Sequence, residues 1–84
     1  MELKIGSVVR SKAGRDKGKL MAVVAIGEKT VALCDGKERR LEKPKLKNPL
    51  HVAPSKTVLD AEAMATNRSL KKALAGLDGK GDQA

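Results

Sequence analysis

Two short runs of lysine and arginine carry most of the chemistry that this sequence offers. The first is Arg10, Lys12, Arg15, Lys17 and Lys19, set in Val-Val-Arg-Ser-Lys-Ala-Gly-Arg-Asp-Lys-Gly-Lys from Val8 to Lys19. The second is Arg39, Arg40, Lys43, Lys45 and Lys47, in a run that continues to Asn48 and His51. Cations spaced this closely suit a polyanion, because each neutralises one phosphate and arginine grips it with two parallel hydrogen bonds. Other chemistry is poorly provided for. Cys34 and His51 are the single residues of their types. A nucleophilic pair of the two would lack a third group to orient the base and an oxyanion site. They also fall short of a metal-ligand set. No catalytic residues, no metal site, no cofactor and no enzymatic activity are expected.

The distribution of charge sharpens this reading. The formal net charge is +8, with 18 basic residues against 10 acidic. Residues 10–19 hold five basic residues and one acid, and residues 37–47 hold six and two, so each run carries +4. Residues 58–84 are neutral, with four of each sign. Charge focused in two segments points to a nucleic acid, since solubility alone is served by scattered charge. A membrane-surface protein would set its cations opposite an apolar helix face, and the one plausible helix here is charge-poor.

At 84 residues there is room for one small domain, whose core buries only about 60% of the unfolded surface. Phe, Tyr and Trp are absent. The core must be built from Val, Leu, Ile, Ala and Met, and no aromatic side chain is available to stack on a base. One cysteine excludes an internal disulfide. The opening Met-Glu-Leu-Lys lacks the basic and apolar regions of a signal peptide. The longest apolar run, Leu20 to Ile26, falls far short of the ~20 residues of a membrane span. A soluble, cytoplasmic protein without membrane contact is expected.

The elements that must position the cations are short strands. Val8 and Val9 suit a strand over residues 7–12, and a second runs over 19–26, apolar on both faces. Between them Gly14 and Gly18 frame a basic loop, and both are placed where a backbone needs positive φ. A turn at residues 27–29 leads to a third strand over 30–34. Asp35-Gly36 then reads as a type I′ hairpin turn, with a returning strand over 37–41. Residues 42–49 form a second basic loop stiffened by Pro44 and Pro49. A last strand covers 50–52 and ends at Pro54. Five strands in about 50 residues suggest a small barrel over 1–57.

The remainder differs in kind. Residues 58–65 can form a turn or two of helix, with Thr57 and Asp60 in capping-box spacing. Thr66 or Asn67 can cap a helix that runs to Ala75, with Leu70, Ala73, Leu74 and Leu77 on one face and Gly76 at its C-terminal cap. Too short to stand alone, that helix should dock on the barrel as a 58–77 extension. A disordered tail is expected over 78–84.

The stretch Gly6 to Val24 resembles a KOW motif: apolar strand residues, a basic loop, and a glycine, here Gly18, before the next strand. The run from Asp35 to Val52, with its Asp-Gly, basic segment, Lys-Pro-Lys-Leu-Lys-Asn and His51, resembles more narrowly one KOW branch. That branch is related to the fourteenth e-type protein of the large ribosomal subunit and includes small bacterial KOW-domain RNA-binding proteins. The likeness covers about residues 4–53. It implies a mainly β fold, an SH3-like barrel followed here by a short α-helix, and contact with structured, ribosomal RNA. By position it implies roles for Gly14, Arg15, Lys17, Gly18, Arg39, Arg40, Lys43, Lys45, Lys47, Asn48 and His51, with Asp35 and Gly36 as structural residues.

The leading expectation is therefore a monomeric RNA-binding protein of translation. Its RNA-binding residues would be Arg10, Lys12, Arg15, Lys17, Lys19, Arg39, Arg40, Lys43, Lys45, Lys47, Asn48 and His51, with ribosomal RNA and ribosomal proteins as partners. Asn48 can serve a base edge, a 2′-hydroxyl or its own turn, the turn first. His51 can face RNA or rest on the barrel, and Cys34 is expected as a small buried hydrophobe. The alternative is an SH3-like protein-interaction module of the transcription or translation machinery, similar to the barrels of elongation factors.

Overall fold

The computed structural model describes residues 3–15 and 17–81, with side chains as far as Leu77. Five antiparallel strands form one sheet: β1 (Ser7–Ser11), β2 (Leu20–Ile26), β3 (Val31–Cys34), β4 (Lys45–Lys47) and β5 (Val52–Val58). Their order is β4-β3-β2-β1-β5, and a 3₁₀ turn (Pro49–His51) links β4 to β5. The chain is thus mainly β, a small SH3-like barrel followed by one helix, α1 (Asn67–Gly81).

Strand alternation sorts the apolar residues onto two faces. Val9, Met21, Val23, Val31, Leu33 and Val52 fill the barrel interior, with Leu3 packed against them. Val8, Ala22 and Cys34 point the other way and meet Leu70 and Leu74 of α1. Leu20, Val24, Leu41, Leu59, Met64 and Leu77 flank this second cluster. The helix therefore docks as its apolar face requires, covering the one sheet face that would otherwise expose valine and cysteine to water. Each large side chain so buried is worth about 1.5–3 kcal/mol. Met21 is fully buried at the centre of the interior.

The expectations for the stretch from Asp35 to Pro54 are corrected. Residues 37–41 are not a strand; the return to β3 is made by β4, within what read as a basic loop. The Asp35 carboxylate accepts hydrogen bonds from the amides of Lys37 and Arg39, both at 2.8 Å, and curls the chain out of the sheet. A type I′ turn also needs positive φ at both central residues, and here Gly36 has φ of 79° while Asp35 does not. The segment 50–52 is mostly the 3₁₀ turn, and β5 begins at Val52 and runs through Pro54. Proline fits there because β5 is an edge strand that pairs with β1 alone. Where the β1–β5 register shifts, the Ser55 hydroxyl donates to the carbonyl of Val8 at 2.8 Å.

Thr57 lies within β5 rather than capping a helix, and residues 61–64 form a turn in which Asp60 accepts from the Ala63 amide at 2.8 Å. The hydroxyl of Thr66 accepts from the Ser69 amide at 3.0 Å and Ser69 Oγ from the Thr66 amide at 3.2 Å, a reciprocal cap that starts α1. The helix does not stop at Gly76. It continues through 78–81, and the rest of the segment read as a tail, 82–84, lies outside the described residues.

Two loop glycines differ in what they permit. At Gly18, with φ of 87°, an added Cβ would meet nothing within 4 Å. At Gly36 it would overlap the carbonyl oxygen of Asn67 and lie 2.9 Å from the Lys71 nitrogen. The first turn of α1 sits directly on Gly36. We expect Gly18→Ala to lose only the backbone strain of roughly 1–3 kcal/mol, and Gly36→Ala to lose more, because the helix must also move. Urea midpoints measure both; equal losses would mean that the helix start does not bear on Gly36.

Candidate nucleic-acid interface

The register of the sheet carries the first basic loop and the 35–44 loop to one end of the barrel. Ser11 ends β1 and Leu20 opens β2, so residues 12–19 bridge the strands there. Ala22 pairs with Cys34, which places the exit of β3 and the loop 35–44 beside the start of β2. Contacts confirm the approach. Lys19 forms an ion pair with Glu38, joining the first loop to the second. Lys47 reaches the first loop from β4, its Nζ donating to Ser11 Oγ and to the Ala13 carbonyl, each at 2.7 Å. The Lys12 amide donates to the carbonyl of His51 at 2.8 Å.

The loop 12–19 is held from within. The Gly18 amide donates to the Ser11 carbonyl at 2.8 Å and the Ser11 amide to Lys19 O at 3.0 Å. Gly14 and Gly18 take φ of 80° and 87°, the left-handed backbone expected of them. Asp16, the acid of this loop, lies outside the described residues.

These contacts divide the sequence-predicted residues into two groups. Arg10 donates to the Gly18 carbonyl, Lys19 holds Glu38 and Lys47 stitches β4 to the first loop, so these cations shape the rim. Asn48 serves its own turn: its side chain accepts from the Leu50 amide at 2.9 Å and caps the 3₁₀ helix. His51 is exposed beside it. Lys12, Arg15, Lys17, Arg40 and Lys43 are exposed, and Arg39 and Lys45 half-buried. Arg15, Lys17, Arg40, Lys43 and Lys45 have no acidic partner among the described residues. Like charges gathered without counter-charge repel, and an incoming polyanion relieves that repulsion.

Loop 35–44 is fixed at several points. Leu41 donates its amide to Asn67 Oδ1 at 2.7 Å, Lys43 N donates to Arg40 O at 2.9 Å, and the Cys34 thiol donates to the same Arg40 carbonyl at 3.2 Å. Sequence reasoning missed Ser11, Glu38 and Asn67 as the groups that place the cations. Ser11 ends β1 between Arg10 and Lys12, and nothing in that local pattern marks its role. No cluster of acidic, histidine or cysteine side chains suited to a metal occurs among the described residues, and no helix among them is long and apolar enough to cross a membrane. No family model matches this chain, and no curated protein matches it.

Cys34 is fully buried and is a small hydrophobe, as its strand position suggests. Burial, with Asp35 and Glu42 adding to it, pushes its thiol from the ordinary 9.0 up to about 11. Since the folded thiol holds its proton more firmly than the unfolded one, its contribution is whole below about pH 9 and is lost as pH rises towards 11. We expect the stability of the native chain to fall more steeply over that window than that of Cys34→Ala. Parallel curves in urea titrations across it would mean that the thiol ionises within the fold.

Proposed function

We propose that this protein is a KOW-type RNA-binding module of the translation apparatus, gripping structured ribosomal RNA with two basic loops on one rim. The observation that supports this reading is the approach of the two basic segments to each other, through the Lys19–Glu38 ion pair and the hydrogen bonds of Lys47 Nζ to Ser11 and Ala13. The mechanism is phosphate neutralisation at fixed spacing, which reads the shape of a folded RNA more than its sequence. With no aromatic residue in the chain, broad base stacking plays no part. The resemblance of Gly6–Val24 and Asp35–Val52 to the KOW branch supports ribosomal RNA as the target and a cytoplasmic site of action.

One observation favours a second reading, a protein-interaction barrel. Leu3, Ile26, Pro49, Leu50, Val52 and Pro54 line a largely apolar groove together with Lys12 and Glu28. Competition between structured RNA and an acidic polypeptide for the same protein separates the two.

Five to six phosphate contacts should give a slope of log K against log salt near −4, from about 0.7–0.9 per contact. The pairs Arg15→Ala/Lys17→Ala and Lys43→Ala/Lys45→Ala should each flatten that slope by about one to two and weaken the same RNA. Melting temperatures should hold, because exposed charges contribute about 0–1 kcal/mol to folding. A salt-independent affinity, or loss from only one pair, would contradict a shared rim.

A further inference from the structure

The two loops differ in shape as well as position. Residues 12–19 present Arg15 and Lys17 on an exposed turn. Residues 38–46 instead surround an open concavity of about 510 Å³, lined by Glu38 together with Arg39, Arg40, Lys43, Pro44, Lys45 and Leu46. Glu38 is engaged by Lys19, so the concavity holds an acid already paired beside Arg40, Lys43 and Lys45. Its volume lies within the range of sites that take small ligands.

The lining mixes two chemistries. Cations sit with two apolar side chains, Pro44 and Leu46, and Leu46 is 65% exposed. The walls are set before any ligand arrives. Asp35 holds the Arg39 amide, Cys34 Sγ holds Arg40 O, Asn67 holds the Leu41 amide, and Lys45 pairs with Leu33 of β3. Fixed walls spare the ordering cost that a flexible basic loop would meet on binding. The continuous backbone of a duplex presents a convex surface, which suits the exposed first loop better than this hollow. A hollow with cations and an apolar patch suits a group that projects from the RNA and carries both a phosphate and a flat face.

We infer that this concavity is a subsite for one unpaired, unstacked nucleotide. Lys43 and Lys45 hold its phosphate, and its base lies against Leu46, Pro44 and the guanidinium plane of Arg40. An arginine plane accepts a base where no aromatic ring is at hand, and an already unpaired nucleotide costs least to extrude. The inference rests on the RNA-binding reading and adds a preference for bulged over continuous helices.

The test compares a fully paired RNA hairpin with the same hairpin carrying a single-nucleotide bulge, by fluorescence anisotropy at fixed salt. The native chain should bind the bulged form at least about fivefold more tightly, a modest fraction of what stacking contributes at aromatic sites. Leu46→Ser keeps the charge and alters an exposed side chain; with Arg40→Ala/Lys43→Ala, it should bring the two RNAs within about twofold of one another. Arg15→Ala/Lys17→Ala should weaken both RNAs alike and keep the preference. Melting curves establish that each variant is folded. Equal binding of both hairpins by the native chain, or a preference that survives Leu46→Ser, overturns the subsite while RNA binding stands. Loss of all RNA binding in the native chain overturns both readings. Displacement of the bulged RNA by polyglutamate at equal charge would assign the concavity to an acidic protein instead.

Discussion

The structure depends on the covering of β2 on both faces. Its inner face meets the barrel core at Met21 and Val23, and its outer face, with Ala22 and Val24, can be shielded only by α1. A domain this small and free of aromatic residues has little other apolar area to bury. The helix is thus part of the fold, and where it starts matters as much as what it covers. Its first turn rests on Gly36, and Asn67 takes the Leu41 amide that a hairpin would have spent on β3. Docking the helix therefore lifts residues 35–44 out of the sheet and makes a basic loop of them.

From that one consequence the charged rim follows. A hairpin over 35–41 would have run Lys37, Arg39 and Arg40 along a strand, with alternate side chains on opposite faces. The loop instead gathers Arg39, Arg40 and Lys43 beside β4, at the end of the barrel where the first loop stands. Some of the cations are spent in keeping the arrangement. Lys47 on Ser11 and Ala13 and Lys19 on Glu38 hold two repelling segments together. The charge count alone cannot tell these from the cations left to bind.

The parts legible in the sequence were those governed by local periodicity. Val8-Val9, the run Leu20–Ile26 and Val31–Cys34 are strands because β-branched residues and burial on both faces leave little choice. Gly14 and Gly18 take positive φ as their loop suggested. Leu70 and Leu74 are buried as the helix face required. What was hidden depends on distant partners. Asp-Gly is a strong hairpin signal, but the Asp35 carboxylate and the oxygen of Asn67 outweigh it. β4 is Lys-Leu-Lys, a three-residue edge strand with no apolar pattern, so charge concealed it. Pro54 seemed to end a strand because the rule against proline assumes pairing on both sides, and β5 has a partner on one. In the candidate site the cations were legible as a group, whereas the division between Lys47, which builds the rim, and Lys43, which stays exposed, needed the fold.

The central claim is that the two basic segments form one RNA-binding rim. Nuclear magnetic resonance titration of the ¹⁵N-labelled chain with one structured ribosomal RNA fragment tests it most directly. The account predicts that the amides of 14–18 and of 39–45 shift together, along one saturation curve, while the β2–β3 turn at 27–30 stays in place. Shifts confined to one basic segment, or centred on 27–30 and the groove around Leu50, would contradict it.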